Sequence, residues 1–277
     1  MSRRRQKKRS RKAEPRGEKR GRGLRRAAVV LVGVAVVSAC VAAGLLLSGL
    51  FGGTSGPRPT TAAIVDQLSL TFPNPSFAET ATNTLEQAGY EVEYYPGEEV
   101  TVDFYRSLPT HGYDLIVLRV HSGLTREISG EEATPREYVS LFTGEPFTEG
   151  EYRREIGGGR VGVATYYEGG PQVFGISPKF IESSMKGRFD ATTVILMGCD
   201  GLRSHETAEA FLQKGAKAFV SWSGPVSATH TDAATERLLE KLLIEGLPVG
   251  DAVTQTAAEV GPDPSYGSRL LVQPSGG

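Results

Sequence analysis

Thr193-Val-Ile-Leu-Met-Gly-Cys-Asp-Gly201 decides how the rest of the chain is read. Apolar residues run from Val194 to Met197, with β-branched side chains at the start, and the run turns polar at Gly198-Cys199. Such a segment reads as a strand buried on both faces, with Gly198 to Gly201 as the loop leaving its carboxyl end. Cys199 then stands at the rim of a sheet. Asp114-Leu-Ile-Val-Leu-Arg-Val-His121-Ser122-Gly123 has the same form and ends on a histidine. Ligands bind at the carboxyl edge of an open parallel sheet, so two strands ending in His121 and Cys199 can bring a nucleophile and its base together.

Working outward, Ala62 to Leu70 predicts a first strand. Ser76 to Ala88 predicts a helix, with Phe77, Ala81, Leu85 and Ala88 at helical spacing, Ser76 as cap and Gly89 as stop. Tyr90 to Tyr95 is a second strand, Val102 to Leu108 one or two helical turns, and the His121 strand follows. Strand, helix, strand, helix, strand implies a parallel sheet with right-handed crossovers. Leu124 to Ile156 is charged and carries Pro135 and Pro146, so it reads as an irregular insertion over the active edge. Arg160 to Tyr167 and Gln172 to Ser177 predict a hairpin. After the Cys199 strand come a helix at Glu206 to Lys214 and a strand at Ala218 to Trp222. Helices at Thr231 to Glu245 and Val249 to Val260 follow, and an edge strand at Arg269 to Val272 closes the pattern. Residues 62–273 therefore form one α/β domain without internal repeats.

The amino-terminal end differs in kind. Residues 1–26 hold fourteen Lys or Arg against Glu14 and Glu18, leaving 17 of the chain's 31 basic and 30 of its 32 acidic residues for the rest. Ala27 to Leu50 are 24 residues without a charge, long enough to cross the roughly 30 Å hydrocarbon core as a helix. The reading is a basic cytoplasmic tail (1–26), a single transmembrane helix (27–51), a linker (52–61) and an acidic domain outside the cytoplasm. Two other readings of this segment stand beside it. A signal peptide has an apolar core of about 7 to 15 residues, shorter than this one. Val37-Ser38-Ala39-Cys40 resembles a bacterial lipobox, which would anchor the same domain through lipid on Cys40. The basic tail fits a topology signal or contact with anionic lipid, and nucleic acid is not expected as a partner.

Cys40 and Cys199 are the two cysteines; one falls in the span and one in the domain, so Cys199 reads as a free thiol. Attack on a carbonyl needs a thiolate, a base and amide donors for the oxyanion. Cys199 and His121 supply the first two, and the N–H groups of Ser122, Gly123 and Cys199 are the natural donors. Met197, Asp200 and Trp222 are candidates for the pocket walls, although a Trp at a strand end is more often core. His121, His205 and His230 follow predicted strands, yet no tight ligand spacing supports zinc, and His111, His205 and His230 read as surface residues. No cofactor is expected.

The order of these features resembles the caspase-like cysteine peptidases, a group that includes separases, gingipains and CHAT domains. A strand ends in His and small residues, a later strand ends in Gly-Cys, and Ala208-Glu-Ala-Phe-Leu-Gln-Lys-Gly-Ala-Lys-Ala-Phe-Val-Ser-Trp222 follows. That last segment is most similar to the one after the cysteine in CHAT domains. The resemblance spans roughly residues 62–260. It implies a caspase-like three-layer sandwich with a mostly parallel central sheet, and endopeptidase chemistry on a polypeptide with His121 as base and Cys199 as nucleophile. Two positions depart from the pattern. Ser122 stands where the family usually has glycine directly after the histidine, and Met197 stands where members that cleave after basic residues often carry an acid. A reading from another class keeps the fold without the chemistry, as a catalytically silent binding or regulatory domain tethered to the membrane.

Overall fold

The computed structural model describes residues 58–127 and 136–274. The basic tail, the expected span at 27–51, Cys40 and the linker as far as Pro57 lie outside the described residues. Among the described residues, no helix is long and apolar enough to cross a membrane.

In chain order, the first half of the main sheet is built from β1 (Thr61–Asp66), α1 (Pro75–Gln87), β2 (Glu91–Pro96), α2 (Val102–Ser107) and β3 (Leu115–Arg119). Then come β4 (Ser122–Glu127), β5 (Arg136–Pro146), α3 (Arg153–Gly157), β6 (Val161–Thr165) and β7 (Gln172–Ile176). The chain continues through α4 (Pro178–Ser183), β8 (Thr193–Leu196), α5 (Glu206–Gln213), β9 (Ala218–Trp222), α6 (Ala228–Leu239), α7 (Val249–Val260) and β10 (Leu270–Pro274).

Six strands form one sheet in the order β10-β9-β8-β3-β1-β2, and all pairs are parallel except β10 with β9. Side chains alternate across a strand. Leu115 and Val117 of β3 pack with Phe77, Leu85, Leu238 and Ala252 on one face, and Ile116 and Leu118 pack with Tyr105, Phe180 and Phe211 on the other. Helices α1, α6 and α7 thus cover one face and α2, α4 and α5 the other, giving three layers of α/β architecture with a mostly parallel sheet. A second, antiparallel sheet runs β4-β5-β7-β6. It joins the second core through Leu141, Val161, Phe174 and Ile176.

Three expectations change. The first strand stops at Asp66, and Gln67–Leu70 form a 3-10 turn; the Asp66 carboxylate is turned inward onto Arg119 at 2.7 Å, and the chain bends away from the ladder there. The α1 cap is Asn74, whose Oδ1 accepts from the Phe77 N–H at 3.2 Å with Pro75 at the first helical position. Ser76 lies inside that first turn. The stretch after Leu124 is no irregular insertion, because its described part contains β4 and the eleven-residue β5. Its two-residue period, with Val139, Leu141 and Thr143 buried, is masked in sequence by the surrounding charges and prolines.

Candidate active site

β3 and β8 are neighbours in parallel register, with Val117 opposite Ile195 and Leu118 opposite Leu196. Adjacent strands lie about 4.8 Å apart. His121 and Cys199 each follow three residues after that last pair, so they occupy matching positions at one carboxyl edge. Carrying the alternation forward puts both on the face of Val117 and Ile195. The two strand ends also touch directly: Ser122 Oγ donates to the Cys199 carbonyl at 2.6 Å. Gly198 makes this approach possible, since a Cβ there would lie 2.2 Å from Ser122 Oγ and 2.5 Å from the Val120 carbonyl oxygen. The glycine before the cysteine is therefore a packing requirement at this crossing.

His121 is held by the loop that follows β1. Its backbone N–H donates to Gln67 Oε1 at 2.8 Å, and its Nε2 lies 2.9 Å from Thr71 Oγ1. The ring stacks on Tyr166 at 5.0 Å between centroids and meets Phe72 edge-on at 6.0 Å. Burial, with the Arg119 charge two residues away adding to it, pulls the imidazole down to about 4. At neutral pH the ring is uncharged, which is the form that can accept a proton.

Arg119 is fully buried and organises the ground beneath this loop. Its guanidinium grips Asp232 through Nε and Nη2 at 2.8 and 2.9 Å and Asp66 through Nη1 at 2.7 Å. Nη2 also donates to the Phe72 carbonyl at 2.9 Å, and the cation lies over the Phe77 ring at 5.4 Å. Tyr94 Oη donates to Asp66 and Asn74 Nδ2 to Asp232, at 2.9 and 2.8 Å. The buried charges are thus paired and hydrogen-bonded.

Cys199 is a partly exposed residue, and its sulfur meets the loop after β9. It accepts from the Val226 N–H at 3.5 Å and donates to the Val226 carbonyl at 3.6 Å. Burial pushes the thiol up; the Val226 N–H works against this, while Asp200 and Asp263 add to it. That loop is pinned by Asp263, whose carboxylate accepts from Ser227 N and Oγ and from the N–H groups of Ser265 and Tyr266.

The remaining sequence candidates separate. Gly123 pairs with Ser140 across β4 and β5, and the His121 carbonyl accepts from the Phe142 N–H. The alternation of an antiparallel ladder therefore commits the Gly123 N–H to β5, which removes it as an oxyanion donor, and turns the Ser122 N–H away from β5. Met197 and Trp222 are 1% exposed and belong to the core, so neither forms a pocket wall. Trp222 Nε1 donates to Thr231 within that core at 2.9 Å. Asp200 adopts a left-handed backbone with φ 62° and faces Arg203 at 3.3 Å, with no contact to the imidazole.

His205 lies 3.0 Å from Gln273, His230 packs on Trp222, and His111 stacks on Tyr113. Among the described residues, no group of three or more His, Cys, Asp or Glu is arranged to hold a metal. Gln67, Thr71, Tyr166 and Val226 escaped the sequence reading. They carry no motif and reach the site only through loops that the fold brings over the edge. Arg119 did leave a signal, as a charge inside an otherwise apolar strand.

A groove of about 290 Å³ crosses the second sheet, lined by Gly123, Thr125, Ser140, Phe142, Gly162 and Gly175 but by neither His121 nor Cys199. Phe142 joins it to the imidazole, 6.3 Å away between ring centroids. A larger hollow of about 470 Å³ between α7 and β10 contains neither His121 nor Cys199. No protein-family model matches the chain, and no curated protein matches it.

Proposed function

We propose that this chain is a membrane-anchored cysteine endopeptidase of the caspase-like type, closest to CHAT domains. Its amino terminus would be cytoplasmic and its α/β domain outside the cytoplasm, with polypeptide as substrate and no cofactor. One observation carries the reading: a histidine and a cysteine follow the carboxyl ends of neighbouring parallel strands, three residues after the last registered pair, at the edge where α/β sheets bind ligands. The groove on the second sheet reaches Phe142, whose ring neighbours the imidazole.

In the proposed reaction His121 takes the Cys199 proton as the sulfur attacks the scissile carbonyl carbon. The S–C bond forms and the carbonyl π pair moves to oxygen, with the backbone N–H groups of Ser122 and Cys199 as candidate donors to it. Collapse of that adduct breaks the C–N bond, and the imidazolium returns the proton to the leaving amine. Water then attacks the thioester, giving its proton to His121 and its oxygen to the carbonyl carbon; the sulfur leaves as the acid forms and regains the proton.

A thiol-reactive probe tests the pairing. Labelling of Cys199 drops sharply in His121→Ala if the two act together, and labelling indifferent to His121 removes the dyad. Cys199→Ala abolishes proteolysis, including self-cleavage between Leu124 and Ile156 if such processing occurs; undiminished cleavage in that variant ends the cysteine mechanism. A second reading, a catalytically silent binding domain, is favoured by a specific observation. The imidazole is bonded to Thr71 and the sulfur to Val226, and the thiol is pushed up where a reactive one is usually lowered. The same labelling experiment separates the two.

A further inference from the structure

We propose that Thr71 is the positioning residue that orients His121, the third member of the site, its hydroxyl receiving the Nε2–H so that Nδ1 is left to exchange a proton with Cys199. The inference rests on the reading of His121 and Cys199 as a dyad. A base with two ring nitrogens needs one of them committed, because the hydrogen bond made by one nitrogen sets which tautomer the other presents. Asp200, the carboxylate adjacent to Cys199 in sequence, is turned to Arg203. Thr71 Oγ1 lies 2.9 Å from Nε2 and is the polar side-chain partner of the ring.

The placement of that hydroxyl is built rather than incidental. The Thr71 and Phe72 N–H groups both donate to the Leu68 carbonyl, closing the turn. Gln67, at the start of the same turn, holds the His121 backbone N–H. Phe72, the next residue, packs its ring edge-on to the imidazole and gives its carbonyl to Arg119. Arg119 is locked in turn by Asp66, the last residue of β1, and by Asp232 of α6. One short segment therefore fixes the main chain, the ring plane and the Nε2 atom of His121. A neutral hydroxyl orients the ring without stabilising an imidazolium as a carboxylate does, so the base stays uncharged at rest. When the proton moves, the S–H bond breaks, the Nδ1–H bond forms, and the Nε2–H remains on Thr71 Oγ1.

The test uses the full-length chain and iodoacetamide, with the rate read at the Cys199 peptide by mass spectrometry over a pH series. Thr71→Val keeps the shape and removes the acceptor. It lowers the Cys199 alkylation rate near neutral pH about tenfold, the loss expected for one hydrogen bond, and shifts the pH profile. Thr71→Ser restores the rate to within about twofold. Nitrogen chemical shifts of the wild-type imidazole report the Nε2–H tautomer, and Thr71→Val populates the other. A wild-type rate in Thr71→Val, failed rescue by serine, or an Nδ1–H tautomer in the wild type each overturns the assignment. His121→Ala separates the two layers: with His121→Ala slow and Thr71→Val fast, the dyad stands and Thr71 falls. With His121→Ala at the wild-type rate, the dyad itself falls.

Discussion

The loop after β1 and the loop after β9 flank the two candidate catalytic side chains, and they hold them by different means. On the histidine side a fully buried guanidinium, two carboxylates, an amide and two aromatic rings fix the imidazole in position and angle. On the cysteine side the contacts to sulfur come from one main-chain unit, at 3.5 and 3.6 Å, and sulfur is a weak donor and a weak acceptor. Orientation matters for a planar ring with two distinct nitrogens, whereas an sp³ thiol can rotate about a single bond between its resting partner and a neighbour. The imidazole is therefore preorganised, and under the proposed chemistry the thiol is the side chain expected to swing. This difference is also why a site whose two members are bonded elsewhere at rest is compatible with the proposed chemistry.

The largest effect follows from breaking the histidine side at its root. Arg119→Met leaves Asp66 and Asp232 buried without their cation, and removing one partner from a buried ion pair costs about 3–5 kcal/mol. Chemical denaturation is expected to show a loss of that size, together with release of the Phe72 segment. A near-neutral result would mean that water reaches the cluster and that the rigidity assigned to this side is overstated.

The junction between the two sides is next. Gly198→Ala puts a methyl group 2.2 Å from Ser122 Oγ and 2.5 Å from the Val120 oxygen. Overpacking of this kind costs about 1–3 kcal/mol and is expected to push the strand ends apart, lowering both the melting temperature and Cys199 labelling. Adding Ser122→Ala relieves the first clash but not the second, which is with main chain, so the double variant recovers only in part.

A third expectation concerns pH. His121 sits at about 4 in the folded chain, against an ordinary value of 6.5, through burial first and the Arg119 charge second. Below 6.5 the unfolded chain binds a proton that the folded one refuses, so this contribution is complete above 6.5 and is lost as pH falls towards 4. The size is on the order of 3 kcal/mol. His121→Phe is expected to flatten that part of the stability curve. A wild-type slope in the variant would assign the window to another group.

Much of this architecture was readable in the chain because it rests on apolar period and length. The strands around Ile116 and Ile195 are uninterrupted apolar runs, and α5 and α7 carry clean helical faces. That strands ending near His121 and Cys199 belong to one parallel sheet was readable from the strand-helix alternation, while their pairing as neighbours is seen in the register of β3 and β8. What stayed hidden depends on contacts between segments far apart in sequence. Met197 and Trp222 look like edge residues by position, yet their side chains point into the layer under α6 and α7. Gly123 looks like a free backbone donor until β5 pairs with it. Thr71 stands 50 residues from His121 and belongs to no motif, and only the turn after β1 delivers it.

The smallest expected effect probes the cysteine side alone. Asp263 is nearly fully buried; burial pushes its carboxyl up, but the donors from Ser227, Ser265 and Tyr266 outweigh that and hold it below the usual carboxylate range. Its charge in turn helps to raise the Cys199 thiol, behind burial and Asp200. Asp263→Asn keeps one acceptor oxygen, removes the charge and weakens the hold on Ser227. With less negative potential near the sulfur and a looser Val226 segment, the thiol is expected to titrate lower and to be alkylated faster at neutral pH, while the tautomer of His121 stays as it was. That asymmetry is the measurable form of the contrast between the two loops. If Asp263→Asn slows alkylation instead, the Val226 contact is holding the sulfur in its reactive position and the assignment of a swinging nucleophile is reversed.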